Sequence, residues 1–419
     1  MAIEQRKNFL LRNDNFVKAV TEKLGYDAQT AAERFAPLIE KHCEEWGDNY
    51  FLFSSPGRIE VCGNHTDHNN GKVIAAAVTA DTIAVVTPLE GSKVVVKSVG
   101  YPAVEVDISD LTVNPKEEGT SHALVRGVAK GFADRGYKTG GFAATTSSQV
   151  FKGAGMSSSA SFEVLVSEIF NALYNSGSIP AVQKAIISQY AENVYFGKPS
   201  GLMDQAAIAL GGISYIDFKD TSAPEVYNPD WDFKGLSVVV VNCGGDHCDL
   251  TPQYAAIRYE MEAVAGLLGQ KKLRFADERS FYSQISSLRE SVSDRAILRA
   301  MHFFEENGRV DALAKAIDTH DFDKAMALIT QSGDSSYKKL QNCYPEGETS
   351  QPIPLALAMC QKFDGVKAYR VHGGGFAGTI LTFVDSAKKE EFAAYMSAVF
   401  GKENVFAVGI RSSGTCKII

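Results

Sequence analysis

The chain has 419 residues, of which 45 % are apolar and 22 % are charged, and its formal net charge is −8 at pH 7. This composition is typical of a globular protein of two or three domains and excludes a disordered chain, a fibre and a disulfide miniprotein. The acidic balance argues against broad binding to nucleic acid or to a membrane surface, because both need a basic face.

Two further features bear on the compartment. The sequence contains no run of 18 apolar residues and does not start with a long apolar stretch, so we expect neither a transmembrane helix nor a signal peptide. The seven cysteines are scattered and form no CxxC pair, which favours neither a zinc ribbon nor a disulfide framework. We therefore expect reduced thiols and a cytoplasmic protein.

Apolar residues at helical spacing predict helices through residues 5–46, and β-rich stretches follow from Phe51. Further along, the pattern predicts a helix over 121–135, a strand at 140–150 and helices over about 157–175 and 181–196, followed by a polar linker over 218–235. After the linker, it predicts a strand from 236 and helices at about 252–268, 291–305, 308–317 and 321–331. The last predicted elements are a strand–glycine turn–strand unit over 365–384, a helix over 388–401 and a strand over 405–413. This mixture predicts two α+β domains rather than one parallel sheet.

The strongest local motif is GAGMSSSAS at residues 153–161, between a predicted strand and a predicted helix. Glycines let the backbone approach a ligand closely, and the first turn of a helix offers unpaired N–H groups and a positive dipole end. Three consecutive serines add hydroxyl donors, so the motif predicts a cradle for phosphate. A plain N-capped helix is the alternative, although one serine would suffice for it. The Walker A pattern GxxxxGK[ST] is absent from the chain.

A second motif, SSPGRIEVCGNHTDHNNG at residues 54–71, packs histidine, aspartate, asparagine and arginine side chains into one short run. Varied donors and acceptors are what sugar hydroxyls require, whereas a solvated loop with Asx turns is the alternative.

Two weaker motifs complete the set. Glu192 and Asp204 flank a Gly-Lys-Pro break, so a helix end and a turn can converge on one metal–phosphate site, although a solvated glutamate is the alternative. Residues 372–378, HGGGFAG, contain the pattern GxGxxG, but the following TILTFV predicts a strand. A dinucleotide site needs a helix there, so we expect instead a glycine turn close to a ligand or another loop.

Four motifs, taken in their order along the chain, resemble the galactokinase branch of the GHMP small-molecule kinases, and the resemblance extends over about Phe51 to Ile419. These motifs are PGRIEVCGNHTDHNNG, GAGMSSSAS, AENVYFGKPSGLMDQ and HGGGFAGTI. The resemblance implies an α+β, two-domain fold. An N-terminal domain related to a ribosomal-protein fold and a ferredoxin-like C-terminal domain would hold ATP and Mg²⁺ in the cleft between them. We expect a helical extension at 1–46 and domains at 47–220 and 235–419.

The resemblance also implies roles for individual residues. Arg58 and Asp204 match the catalytic positions, and Ser159 and Glu192 match Mg²⁺ ligands. A neighbouring arginine would lower the pKa of Asp204, so we expect this carboxylate to orient the sugar hydroxyl as much as to deprotonate it. The positions that match sugar contacts are Asn64, His65, Asp67, Gly201 and Tyr254. The positions that match ATP contacts are Ser98, Gly153, Ala154, Gly155, Met156, Ser157, Ser158 and Ser159.

Two positions depart from the usual galactokinase run GEHTDY, since Asn64 replaces the glutamate and His68 the tyrosine. An amide in place of a carboxylate removes a charge-assisted acceptor, worth about 1.5–3 kcal/mol when well formed. The sugar is therefore less firmly predicted than the reaction.

The resemblance predicts transfer of a phosphoryl group from ATP to the C1 hydroxyl of galactose. One alternative is a kinase for another sugar, such as an amino sugar, a pentose or a uronic acid. The other is an inactive galactose and ATP sensor, against which the intact phosphate motif, Arg58 and Asp204 argue. The expected partners are a sugar and ATP, with no nucleic acid and no membrane, and the oligomeric state stays open.

Overall fold

The computed structural model describes residues 2–150, 155–244, 250–376 and 378–419. Its strands, in chain order, are β1 (Phe51–Cys62), β2 (Lys72–Leu89), β3 (Lys93–Ser98), β4 (Val104–Asp107), β5 (Gly141–Ser148), β6 (Ile213–Asp217), β7 (Glu225–Tyr227), β8 (Leu236–Asn242), β9 (Val366–Val371), β10 (Thr379–Asp385), β11 (Val405–Val408) and β12 (Cys416–Lys417).

The α-helices, in chain order, are α1 (Ile3–Leu11), α2 (Asp14–Lys18), α3 (Ala28–Trp46), α4 (Ser121–Ala133), α5 (Ser158–Tyr174), α6 (Ala181–Tyr190), α7 (Met203–Leu210), α8 (Thr251–Leu267), α9 (Glu278–Ser283), α10 (Ile285–Leu288), α11 (Asp294–Asp318), α12 (Phe322–Ser335), α13 (Pro352–Lys362) and α14 (Lys389–Phe400). Wider π-helical turns continue three of them at Ala19–Lys23, Ala191–Phe196 and Ser336–Leu340.

The described strands form two sheets. The first has the order β12-β1-β2-β5-β3-β4, with β6 paired to β2 and β7 to β6. Its long strand β2 pairs with β1. The first residues of β2 also pair with β6, and its last residues pair with β5. The second sheet has the order β11-β8-β10-β9 and is antiparallel throughout. This architecture confirms the predicted α+β class.

Helices cover both faces of the first sheet. On one face, α3 buries Phe35 and Ile39 against Val85 of β2. On the other, Phe132 of α4 and Phe170 of α5 pack against β5. Helix α3 thus covers this face of the first sheet, and the burial of apolar surface between them stabilises the sheet.

A third apolar cluster joins the two sheets. Ile59 and Ile74 of the first sheet share it with Val240 and Leu381 of the second, and Leu313 of α11 packs between them. The cluster fixes the end of β1 against the β9–β10 turn, which is where the polar run and the glycine turn meet.

Three predictions about local structure are corrected. The helices expected at 291–305 and 308–317 are one helix, α11, because the burial of Phe303 and Ile317 on either side outweighs the roughly 1 kcal/mol cost of the internal Gly308. The linker over 218–235 contains strand β7 and buries Phe233 beneath Trp231. The last strand ends at Val408, and the chain then returns to pair β12 with β1.

Candidate active site between the two sheets

Arg58 lies at a β-bulge in β1. The register of β1 against β2 shifts between Pro56 and Arg58, and a bulge re-aims the side chains beside it. The Arg58 N–H donates to the Met156 carbonyl oxygen at 3.1 Å, and a Cβ on Gly57 would lie 3.0 Å from that same oxygen. Strand β1 and the serine-rich motif are therefore in direct contact.

Arg58 and Asp204 form a two-pronged ion pair. The distances are 2.7 Å from Nε to Oδ1 and 2.8 Å from Nη2 to Oδ2. Asp204 lies in the first turn of α7, and its Oδ2 also accepts a hydrogen bond from the Ser157 hydroxyl at 2.5 Å. The third guanidinium nitrogen of Arg58 donates to the Gly155 carbonyl oxygen. This network joins β1, α7 and the loop that leads into α5.

The electrostatics of this pair keep Asp204 ionised. Burial alone would raise the pKa of Asp204, but the charge and hydrogen bonds of Arg58 outweigh burial and lower it to about 2. The carboxylate is thus a weak base and a strong hydrogen-bond acceptor at neutral pH.

Ser157 does not close the start of α5. It stands at the N-cap with a φ of 62°, and its side chain makes no capping hydrogen bond. Its hydroxyl is turned to Asp204 instead. The amide groups of the first turn are therefore left without this cap, as a site for an anion requires.

Glu192 is the second carboxylate at the serine run. It is fully buried in the π-helical turn after α6. Its Oε1 accepts from the Ser159 hydroxyl at 2.8 Å and from the Lys198 ammonium at 2.9 Å. Its Oε2 accepts from the Ser200 hydroxyl at 2.6 Å and from the Gln205 amide at 2.8 Å. Ser157 thus contacts Asp204 and Ser159 contacts Glu192, so both carboxylates lie at the serine run.

The same Gln205 amide reaches a further buried carboxyl group. Its Nε2 lies 2.7 Å from Oε1 of Glu163. Burial, reinforced by the charge of Glu192, raises the pKa of Glu163 well above its usual range. Glu163 therefore binds the same amide as Glu192, and its neutral form is favoured by this surrounding.

Ser159 and Glu192 fit a divalent cation. Hydroxyl and carboxylate oxygens are the hard donors that Mg²⁺ prefers. The Lys198 ammonium already places a cation against Glu192, and its side chain is 52 % exposed, so it can withdraw into solvent. Among the described residues no group of three or more His, Cys, Asp or Glu side chains could hold a metal. The other ligands would come from phosphate and water, which is how Mg²⁺ is usually bound beside a nucleotide.

The side chain of Asn64 lies inside the protein and not in a solvated loop. It is fully buried, and its Nδ2 donates to the Gly373 carbonyl oxygen at 2.8 Å. Its Oδ1 accepts from Asn342 Nδ2 at 2.9 Å and from the Ser336 hydroxyl at 3.1 Å. The predicted sugar-contacting amide is occupied by the glycine turn and the π-helical turn after α12.

Two other predicted sugar contacts also hold the glycine turn. His65 Nε2 lies 3.0 Å from the Gly374 carbonyl oxygen, so this nitrogen carries the proton. The Tyr254 hydroxyl donates to the Gly375 carbonyl oxygen at 3.0 Å. The turn passes close to another loop, as predicted, and β10 follows it rather than a helix.

Asp67 and Gly201 are in contact. A Cβ on Gly201 would lie 1.6 Å from Oδ2 of Asp67, so no other residue fits at 201 without a shift. Burial, together with the nearby Asp204, raises the pKa of Asp67 to about 6. Asp67 and Asp204 therefore share one acidic corner of the site.

The remaining predicted nucleotide contacts divide into two groups. Gly155, Met156 and Ser158 lie in or beside the serine run, while Gly153 and Ala154 lie outside the described residues. Ser98 is bonded through its hydroxyl to Thr146 of β5 at 2.7 Å. Within the part of the chain that the structure describes, no hydrogen bond joins Ser98 to the serine run.

Sequence reasoning missed Lys198, Ser200 and Gln205, which surround Glu192. Lys198 stands in the Gly-Lys-Pro break, for which the sequence analysis predicts no role, and Gln205 directly follows Asp204. A charged residue inside a break between two carboxylates was the available signal.

Two family models and a galactokinase match this chain. The galactokinase galactose-binding signature matches residues 40–88, and the N-terminal domain of GHMP kinases matches residues 123–212. A galactokinase of Clostridium tetani is 28 % identical over 353 residues, which are 84 % of this chain and 88 % of that protein.

Solved structures share the fold. The Lactococcus lactis galactokinase complexed with galactose matches with a TM-score of 0.80 at 24 % identity, covering 92 % of this chain and 100 % of that one. The Methanococcus jannaschii mevalonate kinase matches with a TM-score of 0.61 at 14 % identity, covering 86 % and 98 %.

The chain has the fold of the GHMP kinases and matches their N-terminal domain over residues 123–212. These similarities indicate a phosphotransferase with an alcohol group as acceptor. Within that class the chain resembles the galactokinases, as its motifs predicted. Among the described residues, no helix is long and apolar enough to cross a membrane.

Proposed function

We propose that the chain is an ATP-dependent sugar kinase that phosphorylates the C1 hydroxyl of galactose. The observation that carries this proposal is the contact of Ser157 with Asp204, which Arg58 holds by two hydrogen bonds. It places a carboxylate acceptor and a guanidinium beside the uncapped start of α5. Phosphoryl transfer needs these parts, because catalysis depends on positioning and on stabilising charge.

Each part of the site has a proposed role in phosphoryl transfer. The start of α5 would bind the phosphates through its amide and serine donors. Asp204 would accept a hydrogen bond from the sugar hydroxyl and align it with the terminal phosphoryl group. Arg58 would hold Asp204 and stabilise negative charge on that group. Ser159 and Glu192 would ligate Mg²⁺, which when bound neutralises charge on the phosphates.

Asp67 is the proposed sugar-recognition carboxylate. It lies against Gly201 and beside Asp204, where it would accept hydrogen bonds from further sugar hydroxyls. A second candidate, phosphorylation of a different sugar, is favoured by Asn64, because the nitrogen and the oxygen of this amide both bind protein groups.

The proposed units are a helical layer at 1–46 and kinase domains at 47–220 and 235–419. The two sheets support this division, although β12 returns to the first sheet. We also place the protein in the cytoplasm, since all six described cysteines are free.

ADP release in the presence of Mg²⁺ and single sugars tests the proposal. The set would contain galactose, glucose, galactosamine, a pentose and galacturonic acid, with nuclear magnetic resonance of the product to locate the phosphate. We expect turnover with galactose. Turnover with another sugar of the set alone would establish the second candidate, and binding without ADP release would overturn the kinase proposal.

A further inference from the structure

His372 is a buried histidine at the end of β9 that the roles proposed above leave unused. It is 1 % exposed. Its backbone N–H donates to the Thr379 carbonyl oxygen at 2.9 Å, which fixes it at the mouth of the β9–β10 turn. Its Nε2 lies 3.2 Å from the Glu60 N–H and accepts that hydrogen bond. An imidazole that accepts at Nε2 carries its proton on Nδ1.

The Nδ1–H group has no partner among the described residues, and it is shielded from solvent. A buried donor without an acceptor is unfavourable, and one in a native structure calls for a reason. Here the position of the group supplies one, because Nδ1 lies 3.0 Å from where a Cβ on Gly155 would stand. The donor nitrogen is therefore beside Gly155, next to the serine run.

The surroundings of this nitrogen are those of the reacting groups. Gly155 offers its carbonyl oxygen to Arg58. A Cβ on Gly373, the residue after His372, would lie 3.8 Å from Arg58 Nη2. Burial and the nearby Arg58 and Arg370 hold the pKa of His372 well below its usual value, so the ring is a neutral donor and does not add charge.

We propose that the Nδ1–H of His372 donates a hydrogen bond to an oxygen of the terminal phosphoryl group of ATP, on the side of the site that Arg58 occupies. This inference rests on the proposed kinase function. It makes His372 a substrate contact supplied by the second sheet. The contact would couple ATP binding to the position of the glycine turn.

Two substitutions separate this contact from a structural role. His372→Gln can keep an acceptor for the Glu60 N–H but has no donor at the Nδ1 position. His372→Asn keeps a donor near Nδ1 and loses the acceptor for Glu60. Calorimetry would give the affinities of both variants for ADP and for a non-hydrolysable ATP analogue, with Mg²⁺ and without sugar, and thermal denaturation would report folding.

We expect His372→Gln to bind the ATP analogue about 10- to 100-fold more weakly while its ADP affinity is kept. His372→Asn should keep the affinity for the analogue within a few fold and melt at a lower temperature. If His372→Gln does not fold, the analogue affinity of His372→Asn decides alone, and a loss overturns the inference.

Unchanged analogue affinity in His372→Gln, or an equal loss of ADP and analogue affinity, contradicts the contact. The proposed function fails differently: the wild-type protein would then bind the ATP analogue but release no ADP with any sugar.

Discussion

The two halves of the site use their polar groups in opposite ways. At the serine run, the hydroxyls of Ser157 and Ser159 face the carboxylates of Asp204 and Glu192. At the polar run, Asn64 and His65 are instead bonded to backbone carbonyl groups of the glycine turn. One half presents carboxyl groups at the start of a helix, and the other uses its donors to hold two loops together.

This difference explains why the reaction is better defined than its substrate. At the serine run, the side chains of Arg58, Asp204, Ser159 and Glu192 that the resemblance predicted are joined by hydrogen bonds in two pairs. The two departures from the galactokinase run, Asn64 and His68, lie in the polar run, where the nitrogen and the oxygen of the Asn64 amide both bind protein groups. The following predictions test each half, beginning with the largest expected effect.

Asp204→Asn should lower kcat by about 10³-fold, because the amide cannot offer Arg58 two acceptors or align the sugar hydroxyl with the same charge. The change would be measured by ADP release at saturating ATP and sugar. Asp220→Asn, in an exposed loop, is the matched control and should behave as wild type. Turnover of Asp204→Asn near that of the control would exclude an essential role for this carboxylate.

Glu192→Gln should raise the Mg²⁺ concentration for half-maximal activity at least about tenfold, since the cation loses a charged ligand. A Mg²⁺ titration of ADP release measures this shift. Glu163→Gln serves as the control because Glu163 is a buried carboxyl group that binds the same Gln205 amide, whereas the Ser159 hydroxyl binds Glu192. An unchanged Mg²⁺ requirement in Glu192→Gln would place the cation elsewhere.

Much of this site was predictable from sequence, and the physical reason is local. The resemblance implied that Ser159 acts with Glu192 and Arg58 with Asp204, because each of the four residues lies in one of the motifs that carry it. The partners of Asn64 were not predictable, because Asn342 and Gly373 reach it only through the packing of the second sheet. The helix break expected before Gly308 failed for the same reason, since burial on both sides of α11 overrode a local preference.

Asn64→Asp sharpens the comparison on the sugar side. The new carboxylate oxygen would replace the donor that faces the Gly373 carbonyl oxygen. We expect the free energy of unfolding to fall by about 1–3 kcal/mol, measured by urea denaturation. Asn70→Asp, in the same run but partly exposed, should change it little. Equal stability of both variants would show that the amide of Asn64 does not hold the turn.

The smallest expected effect is the pH dependence of sugar binding. The pKa of Asp67 is raised to about 6, so this group gains a proton below pH 6 and loses an acceptor for sugar hydroxyls. KM for the sugar should rise severalfold as the pH falls from 7 to 5, while Asp67→Asn should show a higher and flatter KM. Asp204, with a pKa of about 2, adds no limb in this range.

The same shift has a consequence for stability. Because the pKa of Asp67 is raised in the folded protein, its neutral form is favoured by folding. Its contribution to the free energy of unfolding is therefore present below about pH 4 and is lost as the pH rises through 6. For sugar binding, a steeper rise of KM at acid pH in Asp67→Asn than in wild type would contradict the assignment of this rise to Asp67.

The most direct test of the account is a crystal structure with a non-hydrolysable ATP analogue, Mg²⁺ and galactose. The account predicts the triphosphate at the start of α5, the metal between Ser159 and Glu192, and the sugar's C1 hydroxyl within hydrogen-bond distance of Asp204. A triphosphate bound away from the serine run, or a sugar whose C1 hydroxyl points away from Asp204, would contradict it.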